Sequence, residues 1–291
     1  MSTAAKRRYA SAGFVALVLL SVFWPSPVVS SNQLWMGEPL AVDHVSFLGR
    51  EAPSWDVVFW CVAGLYLLMM LHGAESYDFG DAWQQLRATR IRLHRRDLVV
   101  LFAGAAIVAA VWLLADAPVL AWAERVQSDF TEDLVRLFNR FGGGANPGLI
   151  VLFFLVAGVC YRERRWVSLA VAMALAGLGA GILAQVVKAL VSRARPELWL
   201  GPFAFGGPAT SFPSGHTVGA FALAGVLLFG ARSPVLRASA IVLAAMVGIS
   251  RILAFRHWTS DVTASAIIGL FAASVITAGV IGVTNRNEVN P

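Results

Sequence analysis

The sequence predicts an all-α, polytopic membrane protein, and three observations support this fold class. Of the 291 residues, 58% are hydrophobic and 14% are charged, and the mean hydropathy is +0.69. Charge this sparse is typical of an integral membrane protein rather than of a water-soluble globule. Several apolar runs approach the roughly 20 residues that a helix needs to cross a bilayer. The basic residues are concentrated in alternate segments between those runs.

Eight apolar runs are the candidate membrane-spanning helices. The first follows the basic cluster Lys6-Arg7-Arg8 and ends in a segment of prolines and serines, so it is either a cleaved signal peptide or a retained anchor. Both alternatives deliver residue 31 to the outside. In chain order, the runs lie at residues 12–29, 56–72, 98–122, 147–161, 166–187, 216–231, 235–253 and 260–284.

Charge orients these helices. With the N-terminus in the cytoplasm, the inside segments hold 14 of the 23 lysines and arginines, as the positive-inside rule requires. The net charge of +6 and the pI near 10.0 therefore reflect topology, and we expect no nucleic-acid partner. Basic residues at helix ends ordinarily snorkel to lipid headgroups. Five outside cations nevertheless cluster at the ends of two spans, which favours an anion site: Lys188, Arg193, Arg195, Arg251 and Arg256.

The segment Pro213-Ser214-Gly215-His216 begins one of the apolar runs. A serine before a helix is often only a cap, but the N-terminus of a helix also presents free N–H groups that bind phosphate. Gly215 permits a close backbone approach to a ligand. His216 stands where an imidazole can exchange protons with a substrate.

His257 and Asp261 form a second pair of candidate groups. They are four residues apart, so on one helix they share a face and the carboxylate can orient one ring nitrogen. This is the arrangement of a nucleophile or base supported by a third group. The alternative is structural, because an aspartate in a first turn also stabilises the helix dipole.

Three clusters together resemble the signature of the type 2 phosphatidic acid phosphatase (PAP2) family, in its integral-membrane lipid phosphatase branch. They are KxxxxxxRP at residues 188–196, PSGH at residues 213–216 and SRxxxxxHxxxD at residues 250–261. The order and spacing agree with the family at every signature position. The resemblance implies a six-helix core over residues 98–284, preceded by two N-terminal spans in residues 1–97 and followed by a cytoplasmic tail at residues 285–291.

The resemblance also implies a role for each signature residue. His257 would attack phosphorus and form a phosphohistidine, and Asp261 would fix its tautomer. His216 would protonate the leaving oxygen and then activate water. The resemblance implies neither a metal nor another cofactor. The implied phosphate-binding residues are Lys188, Arg195, Ser214, Gly215 and Arg251.

These implications describe an enzyme that removes phosphate from a membrane lipid on the periplasmic side of a bacterial inner membrane. The substrate classes left open are an isoprenoid pyrophosphate, a glycerophospholipid phosphate and lipid A, and the oligomeric state is left open too. One alternative is a lipid-directed phosphotransferase that uses the same phosphohistidine. Another is a transporter or scaffold that retains an inactive phosphate site; sparse charge within the spans disfavours it.

Two further segments lie near the predicted site. Residues 128–141 have the spacing of an amphipathic helix on the outer interface, which either guides a lipid headgroup or simply connects two spans. The apolar loop at residues 197–212 is a candidate for substrate selection or for a cover that dips into the membrane. His44, His72 and His94 are isolated, and we expect structural roles for them.

Overall fold

The computed structural model describes residues 45–47, 50–52, 87, 89 and 93–289, except residues 144–145 and 207–209. The predicted spans at residues 12–29 and 56–72 lie outside the described residues. A short antiparallel pair precedes the helices, with β1 at Val45–Phe47 and β2 at Arg50–Ala52. No pattern in the sequence predicts this pair.

Eight α-helices make up most of the described residues. They are α1 Arg95–Leu114, α2 Asp116–Arg125, α3 Asp129–Gly142, α4 Asn146–Tyr161, α5 Arg164–Val191, α6 Gly215–Gly230, α7 Pro234–Leu253 and α8 Thr259–Val289. A single 3-10 turn, Pro196–Leu198, lies in the loop between α5 and α6. The described core is therefore helical, as the sequence predicts.

Four of these helices are long and apolar enough to cross a membrane, namely α1, α5, α7 and α8, and α4 and α6 are shorter apolar helices. Helix α1 buries little of its surface and exposes large side chains such as Phe102 and Leu114. Apolar surface of this extent suits contact with lipid. The protein is an integral membrane protein.

The predicted span at residues 98–122 is corrected by the structure, because it consists of two helices that meet at Ala115. Pro118 explains the break: its ring nitrogen has no hydrogen to donate to the carbonyl four residues earlier, at Leu114. The break leaves Asp116 buried at the start of α2.

Helices α6 and α8 form the centre of the bundle and pack against each other. Helix α5 packs against both, α7 against α6, α4 against α5, and α1 against α8. The central contact is close because of Gly269, where an added Cβ would lie 2.7 Å from the Val218 carbonyl oxygen. Small residues allow helix backbones in membranes to approach in this way. The approach brings the beginning of α6 beside the beginning of α8.

Candidate active site

The turn between α7 and α8 places His257 beside Arg251. The backbone N–H groups of Arg256 and His257 both donate to the Arg251 carbonyl, at 3.1 and 3.3 Å. This turn reverses the chain within six residues and buries the His257 side chain, which is 3% exposed. The third sequence cluster therefore delivers a cation and an imidazole to one place.

A backbone carbonyl selects the tautomer of His257. The Nδ1 atom lies 2.8 Å from the carbonyl oxygen of Ser211. A carbonyl only accepts hydrogen bonds, so Nδ1 carries the hydrogen and donates it. In the neutral ring, Nε2 then has the free lone pair that a nucleophile requires.

Asp261 acts on His257 mainly through intermediaries. Its Oδ2 lies 3.6 Å from Nδ1 of His257, close enough for an ion pair but beyond hydrogen-bond distance, because Nδ1 donates to the Ser211 carbonyl. The Oδ2 atom accepts instead from the Trp258 backbone N–H at 2.8 Å and from the Ser211 hydroxyl. Asp261 thereby holds the residues that flank and contact the imidazole.

Burial keeps the His257 imidazole neutral. Its removal from water lowers the pKa of His257 to about 4, because the charged form loses its hydration. Asp261 acts in the opposite direction, while the positive charges of Arg251 and Lys188 add to the lowering. His257 is therefore unprotonated on Nε2 at neutral pH.

The beginning of α6 presents a hydroxyl and an open backbone. Ser214 is fully buried; its N–H donates to the Ser265 hydroxyl at 2.8 Å, and its hydroxyl oxygen accepts from the Thr217 hydroxyl at 2.9 Å. Its own hydroxyl hydrogen is left for a further acceptor. Space is open beside Gly215, since an added Cβ there would meet nothing within 4 Å. The N–H groups of this first helical turn have no partner within the helix.

His216 lies in the first turn of α6, against the end of α3. An added Cβ at Gly143 would lie 2.3 Å from Nε2 of His216. The positive charges of Arg251, Lys188 and Arg195 all act on His216, and His257 does so when it is protonated. The two histidines and the three predicted phosphate-binding cations therefore share one electrostatic environment.

The three cations come from separate segments. The side chain of Lys188, near the end of α5, makes no hydrogen bond or ion pair within the described residues. Arg195 lies 3.5 Å from Glu197, which also pairs with Arg256 at 2.9 Å. Arg251 is 7% exposed, and its buried Nε has no hydrogen-bond partner within the described part of the chain. An anion would satisfy this unpaired donor.

Helix α3 forms a wall of the site through a contact with Arg251 that the sequence does not predict. The amphipathic helix that the sequence predicts at residues 128–141 is present as α3. The Ser128 hydroxyl caps its N-terminus by accepting a hydrogen bond from the Thr131 N–H. Near its end, Asn139 Oδ1 accepts a hydrogen bond from Nη1 of Arg251. A single asparagine on an amphipathic helix gives no signal of this contact in the sequence.

A buried ionic network lies behind the histidine. Arg193 has no exposed side-chain surface and donates to Asp116 at 2.6 Å and to Asp261 at 2.7 Å. From the sequence alone, Arg193 is one of the five clustered outside cations and Asp116 lies inside a predicted span. The sequence does carry one signal of this network: Asp116 is a lone carboxylate within an apolar stretch. A charged residue in such a position is costly unless it is paired.

The arrangement suits chemistry at a phosphorus atom. It combines a buried imidazole with a free Nε2, a second imidazole, three cations and the open start of a helix. Within the described residues, no three His, Cys, Asp or Glu side chains are grouped so that they could hold a metal ion.

Comparison with known proteins matches the part of the chain that carries these residues. The model of the PAP2 superfamily matches residues 165–282, which include every predicted site residue. A lipid A 1-phosphatase of Rhizobium etli is 34% identical over 182 residues, which are 56% of this chain and 75% of that protein. A lipid A 1-phosphatase of Porphyromonas gingivalis is 35% identical over 116 residues, which cover 39% of this chain and 24% of that protein.

A solved structure supports the fold. It is the transmembrane PAP2-type phosphatidylglycerolphosphate phosphatase from Bacillus subtilis, with a TM-score of 0.52 and 20% identity, over 68% of this chain and 98% of that chain. The class that the fold and the relatives define is a membrane lipid phosphatase. The chain belongs to the PAP2 superfamily.

Proposed function

We propose that this protein hydrolyses a lipid phosphomonoester or pyrophosphate at the periplasmic face of a bacterial inner membrane, through a phosphohistidine on His257. One observation carries the proposal: Nε2 of a neutral, buried histidine is free, and the charges of Arg251 and Lys188 act both on it and on the neighbouring His216, where Arg195 joins them. A nucleophile among positive charges suits an anionic substrate that neutral water attacks slowly.

The reaction has two steps. His216 takes up a proton when the phosphate anion binds beside it. Nε2 of His257 attacks phosphorus as the bond from phosphorus to the lipid oxygen breaks, and the protonated His216 donates its proton to the departing oxygen. Water then attacks the phosphohistidine, and His216 takes a proton from it as the bond from phosphorus to Nε2 breaks. The products are the dephosphorylated lipid and inorganic phosphate, and both histidines return to their starting states.

Charge stabilisation comes from the chain itself. Lys188, Arg195 and Arg251 neutralise the non-bridging oxygens of the phosphate, and the unpaired Nε of Arg251 gains an acceptor when phosphate binds. The Ser214 hydroxyl and the Gly215 N–H complete the binding site at the start of α6. No step requires a divalent ion.

The charge distribution supports the periplasmic orientation. The basic inside segments leave the beginnings of α6 and α8 and the end of α5 on the outer side. A phosphate site at these helix ends then faces headgroups of the outer leaflet.

The first substrate to test is the 1-phosphate of lipid A, because two relatives are named for that activity. An apolar groove of about 340 Å³ between α1 and α8 supports a lipid substrate. It runs past Gly104 to Trp112 and Phe212, and Ala264 in its wall is adjacent in sequence to Ser265, which holds Ser214. A hydrocarbon chain in this groove would leave its headgroup near the site.

A substrate panel tests the proposal. Purified protein in detergent is given lipid A, an isoprenoid pyrophosphate and a glycerophospholipid phosphate, and both inorganic phosphate and lipid products are measured. We expect phosphate release from at least one lipid, with His257→Ala inactive. A second phosphorylated lipid in place of free phosphate would identify a phosphotransferase. Equal activity of wild type and His257→Ala would contradict the proposed nucleophile.

A further inference from the structure

Arg193 is the centre of a buried network for which the proposed reaction has no use. Its guanidinium donates to Asp116 at 2.6 Å, to Asp261 and the Ser260 hydroxyl at 2.7 Å, and to the Pro202 carbonyl at 2.7 Å. The faces of Trp112 and Trp258 lie 4.0 and 5.0 Å from its central carbon. A fully buried cation with this many partners is costly to desolvate, so a role beyond packing deserves a test.

The network reaches the nucleophile in two short steps. The Arg193 side chain binds Oδ1 of Asp261, and Oδ2 of the same carboxylate binds the Ser211 hydroxyl and the Trp258 N–H. Ser211 in turn supplies the carbonyl that accepts from His257, and its own N–H donates to the Arg193 carbonyl at 2.7 Å. The backbone and the side chain of Arg193 therefore both act on the residue that orients the imidazole.

Asp116 binds the other terminal nitrogen of the Arg193 guanidinium. Its Oδ2 accepts from Arg193 and from the Ser260 hydroxyl at 2.6 Å, and its Oδ1 accepts from the Ser260 N–H at 2.8 Å. This anchors the start of α8 to the start of α2. The group of Arg193, Asp116 and Asp261 carries one positive and two negative charges.

We propose that Arg193 is a positioning residue for His257: it holds the Asp261 carboxylate on Ser211 and Trp258, so that Asp261 does not draw a second proton onto the imidazole. The negative charge of Asp116 partly neutralises Arg193, and so limits how strongly the positive charge of Arg193 acts on Asp261. This inference rests on the proposed function, in which His257 must be neutral to attack phosphorus.

The direction of the effect follows from the charges that face His257. Lys188 from α5, His216 from α6 and Arg251 from α7 disfavour a proton on the imidazole, and Asp261 from α8 favours one. Without the Arg193 charge, Asp261 loses its cation partner and attracts a proton to His257 more strongly. The pKa of His257 then rises, and less of the nucleophile is active at mildly acidic pH.

The test compares the pH profiles of kcat/KM among variants, with lipid A in detergent as the substrate. The acidic limb of a profile is the fall of kcat/KM at low pH, where His257 becomes protonated. Arg193→Gln removes the charge, and we expect its limb to move to higher pH by about one unit or more. Arg193→Lys keeps the charge but loses the forked geometry, so its limb should stay near that of the wild type while its plateau falls. Normalising each limb to its own plateau removes any loss of folded protein that does not depend on pH, and circular dichroism over the same pH range detects acid unfolding.

A charge-balance variant separates electrostatics from structure. Arg193→Gln combined with Asp116→Asn restores the net charge of the group, and we expect the limb to return most of the way toward the wild-type position. If Arg193→Gln does not fold, the double variant is compared with Asp116→Asn alone, and its limb should lie at the higher pH. If the acidic limbs coincide in all variants that fold, the inference is overturned, and the network around Arg193 has only a structural role.

The His257→Ala control distinguishes the two levels of the argument. If His257→Ala remains active, His257 is not the nucleophile and the proposed function fails. The acidic limbs then do not report protonation of a nucleophile, so the inference about Arg193 fails as well. If it is inactive and the limbs coincide, only the role of Arg193 fails. If it is inactive and the limbs shift as expected, both stand.

Discussion

At the scale of single residues, chemistry in this site depends on donors and acceptors that the main chain supplies. The Ser211 carbonyl selects the tautomer of His257, and the Arg251 carbonyl holds the turn that presents it. Any residue provides a carbonyl, so no side-chain pattern reveals these contacts. The sequence does reveal the imidazoles and the cations, because their side chains are uncommon at the ends of apolar runs.

Asn139 provides a test at this scale. Its oxygen contacts Arg251, so Asn139→Asp places an anion beside the proposed phosphate site. We expect KM to rise by about tenfold or more, equivalent to about 1.4 kcal/mol, while kcat changes less. Steady-state kinetics with lipid A in detergent measure both constants.

Asn139→Leu is the matched control, because it has a similar size and adds no charge. Its KM should stay within a few-fold of the wild-type value. An equal rise of KM in both variants would mean that the contact only stabilises helix α3, and would contradict a role at the phosphate site.

At the scale of elements, the close packing of α6 against α8 aligns the two helix beginnings that carry the site. The sequence predicted both helices to within a few residues, because their apolar runs are long and their ends are marked by polar clusters. It did not predict the break at Ala115, where Pro118 interrupts an apolar run that otherwise reads as continuous. Nor did it predict that α3 folds back onto Arg251, since that contact depends on tertiary packing.

Gly269 tests the importance of this packing. An added methyl group would lie 2.7 Å from the Val218 carbonyl and 2.8 Å from the Ala222 nitrogen, so backbone must move. We expect Gly269→Ala to destabilise the protein by about 1–3 kcal/mol and to reduce activity. Thermal unfolding in detergent measures the first effect, and phosphate release measures the second.

Gly219, on the facing helix, is the control. An added Cβ there meets nothing within 4 Å, so Gly219→Ala should leave stability unchanged or slightly improved. If the two variants were equally stable, the tight contact at Gly269 would not hold the helices in place.

At the scale of the whole molecule, the bundle places charged side chains at helix ends and leaves apolar surface for the bilayer. Three sequence clusters separated by up to 73 residues meet because the helices of the bundle return each cluster to one side. The family model covers all three clusters. The domain division at residues 97 and 284 stays a prediction. Helix α8 continues through residue 284 to Val289 without a break.

The proposed use of protein cations in place of a metal predicts resistance to chelation. In the proposed reaction, Lys188, Arg195 and Arg251 supply the positive charge that divalent ions supply in other phosphatases, so EDTA should leave phosphate release unchanged. The assay is run on one preparation with and without the chelator. Strong inhibition that magnesium or zinc reverses would contradict a metal-independent reaction.

The most direct test of the central claim is to identify the phosphorylated residue during turnover. Protein mixed with lipid A is quenched in alkali, which preserves phosphohistidine, and its peptides are analysed by mass spectrometry. We predict a phosphoryl group on Nε2 of His257, absent from His257→Ala. Phosphate on another residue, or turnover with no phosphorylated protein under conditions that detect a synthetic phosphohistidine standard, would contradict the account.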